Sequence, residues 1–574
     1  MVEEMKSLPR RILVVGGVAA GASAATKARR TDEDAEIVIF ERGPYVSFAN
    51  CGLPYYVGGD IREIDDLLLM TPERFAERFR IRVDLFHEVT RIDREARQVE
   101  VVDLSSGDLR MEPYDRLILA PGGRPILPPI SGIDKPGVFS LTTVPDADGL
   151  RRWARDPRAR EAVVVGAGFI GLEAVEAMLA LGLRVHLVEK LPQVMPPMDP
   201  EMAILIADHL AEKGVHLHLG AEAVRFHGTD RLTGIELSDG KIIPAQVAVV
   251  AIGVRPELGL ARGAGLEIGS NGGMIVNERM ETSDPFIYAC GDVAEVTNII
   301  TGKQVRLPLA GPANKEGRVA GTNAAGGAST FQGVVGTSIV KACDLTAGKT
   351  GLSEREARAA GFDPLLSYTH PLHHAGYYPG AEHMTMKLIA DRASGRVLGA
   401  QVVGPSGVDK RVDVLATAIS ARMTVEDLEQ LDLAYAPPYS SAKDPVIMAG
   451  LVAANEWRGE VDVVTALGLA RELDEAKPVR ILDVRTPEEY EEEHIPGAIS
   501  APLDQLRELL GSIPRDLSIT VYCRVGYRSY HAYKILEHHG YKVRNLSGGF
   551  ISWGQAQPGR TERGSGLAVG AVHA

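Results

Sequence analysis

The sequence has little cysteine, few aromatic residues and no excess of positive charge. Its 574 residues include only 4 cysteines, Cys51, Cys290, Cys343 and Cys523, which are too scattered for a disulfide scaffold or a metal site. The net charge of −14 argues against nucleic acid and acidic membrane surfaces as main partners. No apolar run approaches the roughly 18 residues of a membrane span, and the stretch up to Arg11 lacks the pattern of a signal peptide. We therefore expect a cytoplasmic protein without a metal site.

A first dinucleotide-binding unit is predicted near the N-terminus. An apolar strand ending at Val15 is followed by a glycine-containing turn over residues 16–21 and an alanine-rich helix. Such a turn places the helix N-terminus against a pyrophosphate. The next apolar strand, residues 36–40, ends in Glu41, an acid placed to bond a ribose. Val18 stands where the usual pattern has its middle glycine, but strand, turn, helix and acid together still predict a dinucleotide site.

A second dinucleotide-binding unit follows and matches the usual pattern in full. The apolar strand 161–165 leads into residues 166–171, Gly-Ala-Gly-Phe-Ile-Gly, and the next strand ends in Glu189. An acid at that position accepts hydrogen bonds from a free 2′-hydroxyl and repels a 2′-phosphate. The sequence therefore favours NADH over NADPH, although the neighbouring Lys190 weakens this preference.

The cysteine with the most informative surroundings is Cys51, in Ser-Phe-Ala-Asn-Cys-Gly-Leu-Pro-Tyr-Tyr over residues 47–56. Flavin disulfide reductases with an internal redox pair have a second cysteine five positions after the first. In this sequence that position is Tyr56. A lone thiol cannot close an intramolecular disulfide, so its oxidised form must be a mixed disulfide with a small thiol, a persulfide or a sulfenic acid.

Four motifs together carry a resemblance to a known family. They are the turn with Val18, the segment around Cys51, Gly-Asp at residues 291–292, and Tyr-Ala-Pro-Pro-Tyr-Ser from Tyr435. With them, residues 10–455 resemble the single-cysteine coenzyme A disulfide reductases of the flavin and pyridine-nucleotide disulfide reductase superfamily. The resemblance implies an FAD domain, an NADH domain and a dimerisation domain. It also implies a homodimer with each active site built across two subunits, and coenzyme A as substrate or bound thiol.

The resemblance assigns roles to residues whose spacing alone is ambiguous. Ser23, Lys27 and Arg30 share one stripe of the first helix, which by itself indicates no more than a solvated face. The resemblance implies that this stripe meets coenzyme A and that Cys51 is the redox cysteine. The implied coenzyme A contacts are Ser23, Lys27, Arg30, Ser47, Asn50 and, from the second subunit, Lys443. The predicted contacts to the two cofactors are Gly16, Val18, Ala19, Glu41, Arg42, Val89, Gly122, Asp292, Gly166, Gly168, Gly171, Glu189 and Gly253, with Asp292 implied to bond the ribityl chain of FAD.

Two tyrosines are implied to approach the cysteine from the other subunit, Tyr377 and Tyr435. A phenol can protonate or hydrogen-bond a leaving thiolate, which disulfide cleavage requires. The alternative is that each packs in the interface with its hydroxyl satisfied. For Cys290 and Cys343, which lie in apolar strand-like runs, a buried structural role is predicted.

A separate α/β module is predicted after residue 460. Its strand 518–522 runs into the loop Cys-Arg-Val-Gly-Tyr-Arg over residues 523–528, followed by a helix. Loop amides, a helix N-terminus and arginines stabilise a thiolate or persulfide anion on Cys523. This module resembles a rhodanese domain, which implies that Cys523 carries sulfane sulfur within a loop that includes Arg524, Gly526 and Arg528.

The predicted fold is α/β, with two nested Rossmann-like dinucleotide-binding domains, an α+β dimerisation domain and a C-terminal α/β rhodanese domain. The predicted ranges are 10–150 with 286–325 for FAD, 151–285 for NADH, 326–455 for dimerisation, 456–462 for a linker, 463–557 for the rhodanese domain and 558–574 for a flexible tail.

The predicted function is NADH-dependent reduction of coenzyme A persulfide or polysulfide, and of coenzyme A disulfide, through one cysteine. Hydrosulfide and coenzyme A are the products, and the rhodanese domain handles sulfane sulfur. Two alternatives stay open. One is an NADH oxidase or peroxidase using a cysteine sulfenic acid, although the histidine that such enzymes often have in the first glycine turn is Ala19 here. The other is a non-catalytic sulfur sensor or carrier.

Overall fold

The computed structural model of the protein describes residues 9–564. The described chain forms two compact units, 9–192 with 214–334 and 193–213 with 335–564. The prediction on a signal peptide falls largely on residues 1–8, which lie outside the described residues, as do residues 565–574 of the predicted tail. Within the described part of the chain, no helix is long and apolar enough to cross a membrane.

The first unit begins with a strand, a turn and a helix, as the glycine pattern predicts. A Cβ atom on Gly21 would lie 1.9 Å from the carbonyl oxygen of Gly16, so only glycine allows the helix to start this close to the strand. The elements of this part are β1 (Arg11–Val15), α1 (Ala19–Thr31), β2 (Glu36–Glu41), α2 (Leu53–Gly58), α3 (Pro72–Phe79), β3 (Ile81–Leu85), β4 (His87–Asp93), β5 (Gln98–Asp103), β6 (Leu109–Pro113), β7 (Arg116–Leu119), β8 (Gly123–Pro125), β9 (Val138–Phe139) and α4 (Val144–Ala154).

The second glycine turn produces the same strand, turn and helix. The following elements are β10 (Glu161–Val165), α5 (Phe169–Ala180), β11 (Arg184–Glu189), α6 (Pro200–Glu212), β12 (His216–Leu219), β13 (Ala223–His227), β14 (Gly234–Leu237), β15 (Ile242–Pro244), β16 (Val247–Val250), β17 (Val254–Pro256), α7 (Gly259–Gly263), β18 (Met274–Ile275), β19 (Ile287–Ala289), β20 (Ala294–Thr297), β21 (Gln304–Val305) and α8 (Ala310–Ala324). Helix α6 belongs to the second unit, although it lies within the range predicted for NADH binding.

Two parallel five-stranded sheets form the centres of the two dinucleotide-binding folds. Their strand orders are β19-β7-β1-β2-β3 and β12-β11-β10-β16-β9. The central strands β1, β7, β10 and β16 are almost continuously apolar, as expected where both faces of a parallel sheet are covered. Helix α1 packs closely on α8, since a Cβ atom on Gly317 would lie 2.3 Å from the carbonyl oxygen of Ala20. The predicted pair of Rossmann-like folds is confirmed.

The second unit contains an antiparallel sheet with helices and a smaller parallel sheet. The strand orders are β22-β23-β26-β25-β24 and β27-β31-β30-β28-β29. The elements are β22 (Ser338–Ala342), β23 (Leu345–Gly351), α9 (Glu354–Ala359), β24 (Pro364–Thr369), β25 (Thr385–Asp391), β26 (Val397–Gly404), α10 (Val408–Ser420), α11 (Val425–Glu429), α12 (Pro445–Trp457), β27 (Val463–Val464), α13 (Ala466–Asp474), β28 (Arg480–Asp483), α14 (Pro487–Glu492), β29 (Ile499–Ser500), α15 (Leu506–Leu509), β30 (Ile519–Tyr522), α16 (Tyr527–His538), β31 (Val543–Leu546) and α17 (Gly549–Ala556).

The described start of the predicted tail lies against the C-terminal parallel sheet domain. The indole Nε1 of Trp553 donates to the carbonyl oxygen of Arg560 at 2.8 Å. The amide of Gly564 donates to the carbonyl oxygen of Glu491 at 2.9 Å. Residues 558–564 are therefore bound to this domain by backbone and side-chain hydrogen bonds.

Candidate active sites

Both predicted ribose-binding acids are oriented in the same way by backbone amides. Glu41 accepts from Gly17 at 2.9 Å and from Gly43 at 2.8 Å. Glu189 accepts from Ala167 at 2.8 Å and from Leu191 at 2.9 Å. Each carboxylate thereby lies at the end of its second strand, beside the glycine turn that precedes the helix. This is the arrangement that a ribose hydroxyl requires.

Polar groups without partners support an FAD site in the first unit. Among the described residues, Nε and Nη1 of Arg306 are buried and have no hydrogen-bond partner. Burial raises the pKa of Asp292, and the charge of Arg306 opposes this shift. There is also open space beside the backbone of Gly122, since a Cβ atom at this position would have no neighbour within 4 Å. Buried donors, an acid and open space beside the turn suit a ligand with phosphates and hydroxyls such as FAD.

The second glycine turn has similar open space for a pyridine nucleotide. A Cβ atom on Gly168 would meet nothing within 4 Å, whereas one on Gly171 would lie 1.9 Å from the carbonyl oxygen of Gly166. The first position therefore leaves room for a phosphate, and the second allows close packing of strand and helix. These residues fit NAD in the way that the pattern predicts.

The remaining predicted cofactor residues occupy varied positions. Val18 and Ala19 lie at the start of α1, and Arg42 pairs with Glu257 at 3.9 Å. Val89 is buried in β4, and Gly253 has a φ of +117° between β16 and β17.

Cys51 lies in a single 3₁₀ turn, Asn50–Gly52, and is exposed. Two backbone hydrogen bonds hold the chain before Cys51. The amide of Ser47 donates to the carbonyl oxygen of Gly17, and the amide of Ala49 donates to the carbonyl oxygen of Leu67, each at 2.8 Å. Ser47 has a φ of +48°, a conformation that costs a non-glycine residue energy and is common at functional sites. The segment is thus attached directly to the first glycine turn.

The surroundings of Cys51 raise the pKa of its thiol. Desolvation raises the pKa of the thiol most, and the negative charges of Glu173 and Asp292 raise it further. Tyr56, at the position of the missing second cysteine, is buried and donates its hydroxyl to Asp148 at 3.2 Å. The place of a resolving sulfur is therefore filled by a structural side chain.

The basic stripe of α1 is accompanied by a residue that the sequence did not point to. The hydroxyl of Ser23 donates to Oδ1 of Asn314 on α8 at 2.5 Å. Lys27 and Arg30 extend along the same helix, and neither has an acidic partner within 4.0 Å among the described residues. Asn314 is 291 residues from Ser23 in sequence, so only helix packing could have revealed it.

The two predicted tyrosines lie together in the second unit. Their hydroxyls are 2.8 Å apart, although Tyr377 and Tyr435 are separated by 58 residues. Both are exposed, at 76% and 47%. The hydrogen bond to Tyr435 raises the pKa of Tyr377, so the phenol of Tyr377 keeps its proton at neutral pH. Lys443 is also exposed in this unit, and its carbonyl oxygen accepts from Ser441.

The C-terminal domain places Cys523 between β30 and α16. Its sulfur accepts a hydrogen bond from the amide of Gly526 at 3.2 Å, and the hydroxyl of Ser529 lies 3.6 Å away. Gly526 has a φ of +99°, which turns the loop so that its amide faces the sulfur. Cys523 is buried and Arg524 is exposed at the outer edge of the loop.

A charged pair holds the last arginine of this loop. Arg528 donates to both carboxylate oxygens of Glu489, at 2.6 and 2.8 Å. Glu489 is itself fixed as the third residue of α14, where it accepts from the amide of Thr486. The bond to Arg528 lowers the pKa of Glu489 to about 2, and the pKa of Arg528 is raised chiefly by Glu489 and also by Cys523. A fixed cation therefore lies close to the sulfur.

The one cluster of potential metal ligands found among the described residues surrounds a lysine. Asp199, Glu201 and Glu354 lie together in the second unit. The ammonium of Lys387 is 2.8, 2.6 and 2.9 Å from their carboxylates, and its side chain is fully buried. Lys387 thereby supplies the positive charge at the centre of the three acids. Of the other cysteines, Cys290 is buried and Cys343 is partly exposed.

The chain contains two dinucleotide-binding folds, the free thiol of Cys51, and Cys523 in a loop whose amide contacts its sulfur. Together these features define a pyridine-nucleotide oxidoreductase that acts on sulfur. The family model of the pyridine nucleotide-disulphide oxidoreductases matches residues 10–317, and the chain belongs to this family. The model of its dimerisation domain matches residues 337–445, and that of a rhodanese-like domain matches 465–556. The family implies FAD and a pyridine nucleotide as cofactors.

Three similar proteins resemble the chain over most of their own length. The reduced CoADR-RHD of Bacillus anthracis is 43% identical with a TM-score of 0.94, covering 96% of this chain and 99% of its own. An NAD-dependent persulfide reductase from A. fulgidus is 42% identical with a TM-score of 0.88, covering 95% and 100%. A coenzyme A-dependent NAD(P)H sulfur oxidoreductase of Pyrococcus abyssi is 36% identical over 444 residues, covering 77% and 98%. The resemblance to the coenzyme A disulfide and persulfide reductases is confirmed.

Proposed function

We propose that the protein is an NADH-dependent reductase of coenzyme A persulfide and polysulfide that also reduces coenzyme A disulfide. The observation that carries the proposal is the combination of two sulfur sites in one chain. Cys51 has Tyr56 where a resolving cysteine would be, and the Cys523 sulfur accepts a hydrogen bond from the amide of Gly526, which suits a bound sulfane sulfur. The names of the similar proteins from Bacillus anthracis, A. fulgidus and Pyrococcus abyssi support the same chemistry.

The cofactors are assigned by the residues that fit them. FAD would be held by the first glycine turn with Glu41 and Asp292, and NADH by the second turn with Glu189. The amide-bound carboxylate of Glu189 favours a free 2′-hydroxyl, which is why NADH is proposed over NADPH. When bound, FAD supplies the two electrons that it receives from NADH.

The chemistry of the chain itself centres on Cys51. Its thiolate attacks the inner sulfur of coenzyme A persulfide, hydrosulfide leaves, and a mixed disulfide between Cys51 and coenzyme A forms. Two-electron reduction of this disulfide returns the Cys51 thiolate and releases coenzyme A. Ser23, Lys27, Arg30 and Asn314 would hold the coenzyme A moiety, because serine, amide and basic side chains suit its phosphates.

The remaining predicted residues complete the site in a homodimer. Tyr377 and Tyr435 are proton donors held together by their hydroxyls, and the proposal places them opposite Cys51 of the partner subunit with Lys443. Ser47 and Asn50 flank the thiol. Cys523 would accept sulfane sulfur from a donor and load it onto coenzyme A, in a protein that we place in the cytoplasm.

The test is anaerobic NADH consumption by the purified holoenzyme with coenzyme A persulfide and, separately, coenzyme A disulfide, while hydrosulfide is quantified. We expect faster turnover with the persulfide and one hydrosulfide released per NADH. Turnover with the disulfide alone would restrict the enzyme to thiol homeostasis. NADH consumption that requires oxygen and no sulfur substrate would overturn the proposal in favour of an oxidase.

A further inference from the structure

A buried histidine in the second unit contacts the segment that holds the Cys523 loop. His370 directly follows β24, is 5% exposed, and belongs to none of the sites described above. Its Nδ1 lies 3.0 Å from the hydroxyl of Thr385 at the start of β25, and its Nε2 lies 2.9 Å from the hydroxyl of Ser552 on α17. The imidazole therefore connects the antiparallel sheet of the dimerisation domain to the rhodanese domain.

The imidazole is suited to bond both hydroxyls at once. Burial lowers the pKa of His370 to about 3, with a smaller contribution from His383, so the ring is neutral at neutral pH. A neutral imidazole donates at one nitrogen and accepts at the other, and a hydroxyl can do either. Thr385 also accepts from the side-chain amide of Gln555 on α17 at 3.2 Å. Removing the ring would leave buried hydroxyls without this partner, which costs more than a hydrogen bond ordinarily gains.

Two glycines fill the space between His370 and the backbone of Cys523. Gly548 and Gly549 have φ angles of +68° and +60°, which residues with side chains rarely adopt. A Cβ atom on Gly548 would lie 2.9 Å from Nε2 of His370, and one on Gly549 would lie 2.3 Å from the carbonyl oxygen of Cys523. The backbone of this turn therefore lies against the histidine on one side and against the Cys523 loop on the other.

The residues after these glycines donate the hydrogen bonds that hold the Cys523 loop. The amide of Phe550 donates to the carbonyl oxygen of Cys523 at 2.8 Å. The amide of Ile551 donates to the carbonyl oxygen of Arg524 at 3.1 Å. Because both acceptors belong to the loop itself, a shift of these two amides would shift the backbone that carries the sulfur.

Residues 547–552 are bonded to the antiparallel sheet at both of their ends. The hydroxyl of Ser547 accepts from the backbone amide of Tyr368 on β24 at 3.0 Å, and the hydroxyl of Ser552 bonds His370. All four of these residues are buried, so water does not readily replace either bond. The segment is therefore held by the sheet at its ends, and it holds the Cys523 loop through the amides between them.

We propose that His370 is a positioning residue for sulfur transfer, which fixes the Cys523 loop through Ser552. The inference rests on the proposed function, in which Cys523 accepts sulfane sulfur. The amide of Gly526 donates to the sulfur at 3.2 Å, a contact that depends on the loop backbone keeping its turn. Without the His370 contact the loop relaxes, and this amide stabilises the anionic sulfur less well. The rate of sulfur transfer thereby depends on the docking of the rhodanese domain against the antiparallel sheet.

The test compares two buried hydroxyls in the full-length holoenzyme. Ser552→Ala removes the hydroxyl that bonds His370. The matched control is Ser367→Ala, which removes a buried hydroxyl of β24 that has no hydrogen-bond partner among the described residues. The FAD content and the thermal unfolding of each variant establish that it is folded.

Sulfur transfer from thiosulfate to cyanide is measured well below the melting temperature. In this assay the Cys523 thiolate takes the sulfane sulfur, sulfite leaves, and cyanide then removes that sulfur as thiocyanate. We expect Ser552→Ala to lower kcat about tenfold and to leave KM for thiosulfate within about twofold, because the loop amide bonds the anionic sulfur that forms during transfer rather than the incoming thiosulfate. Ser367→Ala should match the wild type in both constants.

Two replacements test the histidine itself. His370→Leu keeps much of the volume and removes both hydrogen bonds, whereas His370→Gln retains a polar group near the position of Nε2. We expect a loss of kcat like that of Ser552→Ala in the first variant and a smaller loss in the second. Equal losses in both would show that packing rather than hydrogen bonding is responsible, and would overturn the proposal. If His370→Leu does not fold, Ser552→Ala decides.

Hydrogen exchange measured by mass spectrometry reports on the loop without any sulfur substrate. In Ser552→Ala, peptides covering residues 523–528 and 547–552 should exchange about fivefold faster than in Ser367→Ala. A merely structural role would lower the melting temperature and leave both exchange and kcat as in the control, and that result would overturn the proposal. If the wild type transfers no sulfur, the proposed role of Cys523 fails, and the exchange comparison alone supports or overturns the positioning by His370.

Discussion

The two sulfur sites of this protein are built from opposite charges. Cys51 lies in a short turn, where desolvation first, and then the charges of Glu173 and Asp292, raise the pKa of its thiol. Cys523 is buried, accepts a bond from the amide of Gly526 and lies beside the guanidinium of Arg528. The first sulfur has two carboxyl groups near it, whereas the second has a backbone amide and a guanidinium.

This difference fits the two tasks that we propose for the cysteines. A sulfur that alternates between thiolate and mixed disulfide has to gain and lose charge in every cycle. A sulfur that stores a persulfide remains anionic, so fixed amides and a cation serve it better. The predictions below test whether the two environments really separate these tasks.

The largest effect is expected from removing each sulfur in turn. Cys51→Ser should lower reduction of coenzyme A disulfide and persulfide by about 10³-fold or more, because no nucleophile remains. Cys523→Ser should leave reduction of coenzyme A disulfide unchanged and abolish sulfur transfer from thiosulfate to cyanide. Both activities are measured on each purified holoenzyme, with Cys343→Ser as the control. Loss of both activities in either single variant would show that the two sites are not separate.

The next largest effect is expected on stability, from replacing Lys387, whose ammonium lies among three carboxylates. Lys387→Met should destabilise the protein by about 3–5 kcal/mol, because it leaves the buried Asp199 and Glu201 and the partly buried Glu354 together without their cation. Thermal unfolding measures the loss. The matched control is Lys349→Met, which removes a cation paired at 2.6 Å with the half-exposed Glu356 and should cost less. Equal losses in both variants would contradict this account of the cluster.

A smaller effect is expected at the charged pair beside Cys523. Arg528→Ala should lower sulfur transfer by about 10- to 100-fold, the value of a hydrogen bond to a charged group, and leave coenzyme A disulfide reduction intact. Glu489→Gln should have a smaller effect, because Arg528 is retained but loses one charged partner. Stopped-flow or steady-state sulfur transfer measures both. Unchanged sulfur transfer in Arg528→Ala would show that the guanidinium of Arg528 does not stabilise the sulfur on Cys523.

The smallest expected effect is a pH dependence of stability that arises from His370 in the second unit. His370 lies between β24 and the C-terminal domain, with its ring nitrogens 3.0 Å from the hydroxyl of Thr385 and 2.9 Å from that of Ser552. Burial lowers its pKa to about 3, so the folded protein holds it neutral while the unfolded chain binds a proton below about pH 6.5. The contribution of the neutral His370 to stability is therefore fully present above this pH. The free energy of unfolding should fall by about 1 kcal/mol between pH 7.5 and 5.5.

Thermal unfolding at these two pH values, for the wild type and His370→Gln, checks this prediction. The variant should show a smaller difference between the two values, because it has no imidazole to protonate. An equal pH dependence in both proteins would assign the acid sensitivity to other groups. Such groups include His186, whose pKa burial lowers to about 4 in the first unit.

Much of the fold could be predicted from local pattern. The two strand-turn-helix units follow from glycines that allow close backbone contact and from strands that are apolar on both faces. The two acids at the strand ends lie beside their turns because the parallel pairing of β1 with β2 and of β10 with β11 brings them there. The lone Cys51, with Tyr56 five positions later, was readable without any structure.

The partners of the site residues could not be predicted in this way. Asn314 meets Ser23 only because α8 packs on α1, and Glu173 meets Tyr55 only because α5 packs on α2. Neither pair has a characteristic spacing, since their members are 291 and 118 residues apart. Contacts of this kind depend on how helices cross, which no local periodicity encodes.

The sequence by itself determined which chemistry the chain carries: two dinucleotide sites, one sulfur without a resolving partner and one sulfur in a loop for anions. Those features depend on residue type and short spacing, so they are visible along the chain. Only the tertiary structure decided the charge around each sulfur, with Glu173 near Cys51 and Arg528 held by Glu489 near Cys523. The physical reason is that a pKa depends on burial and on charges a few ångströms away, and packing sets both.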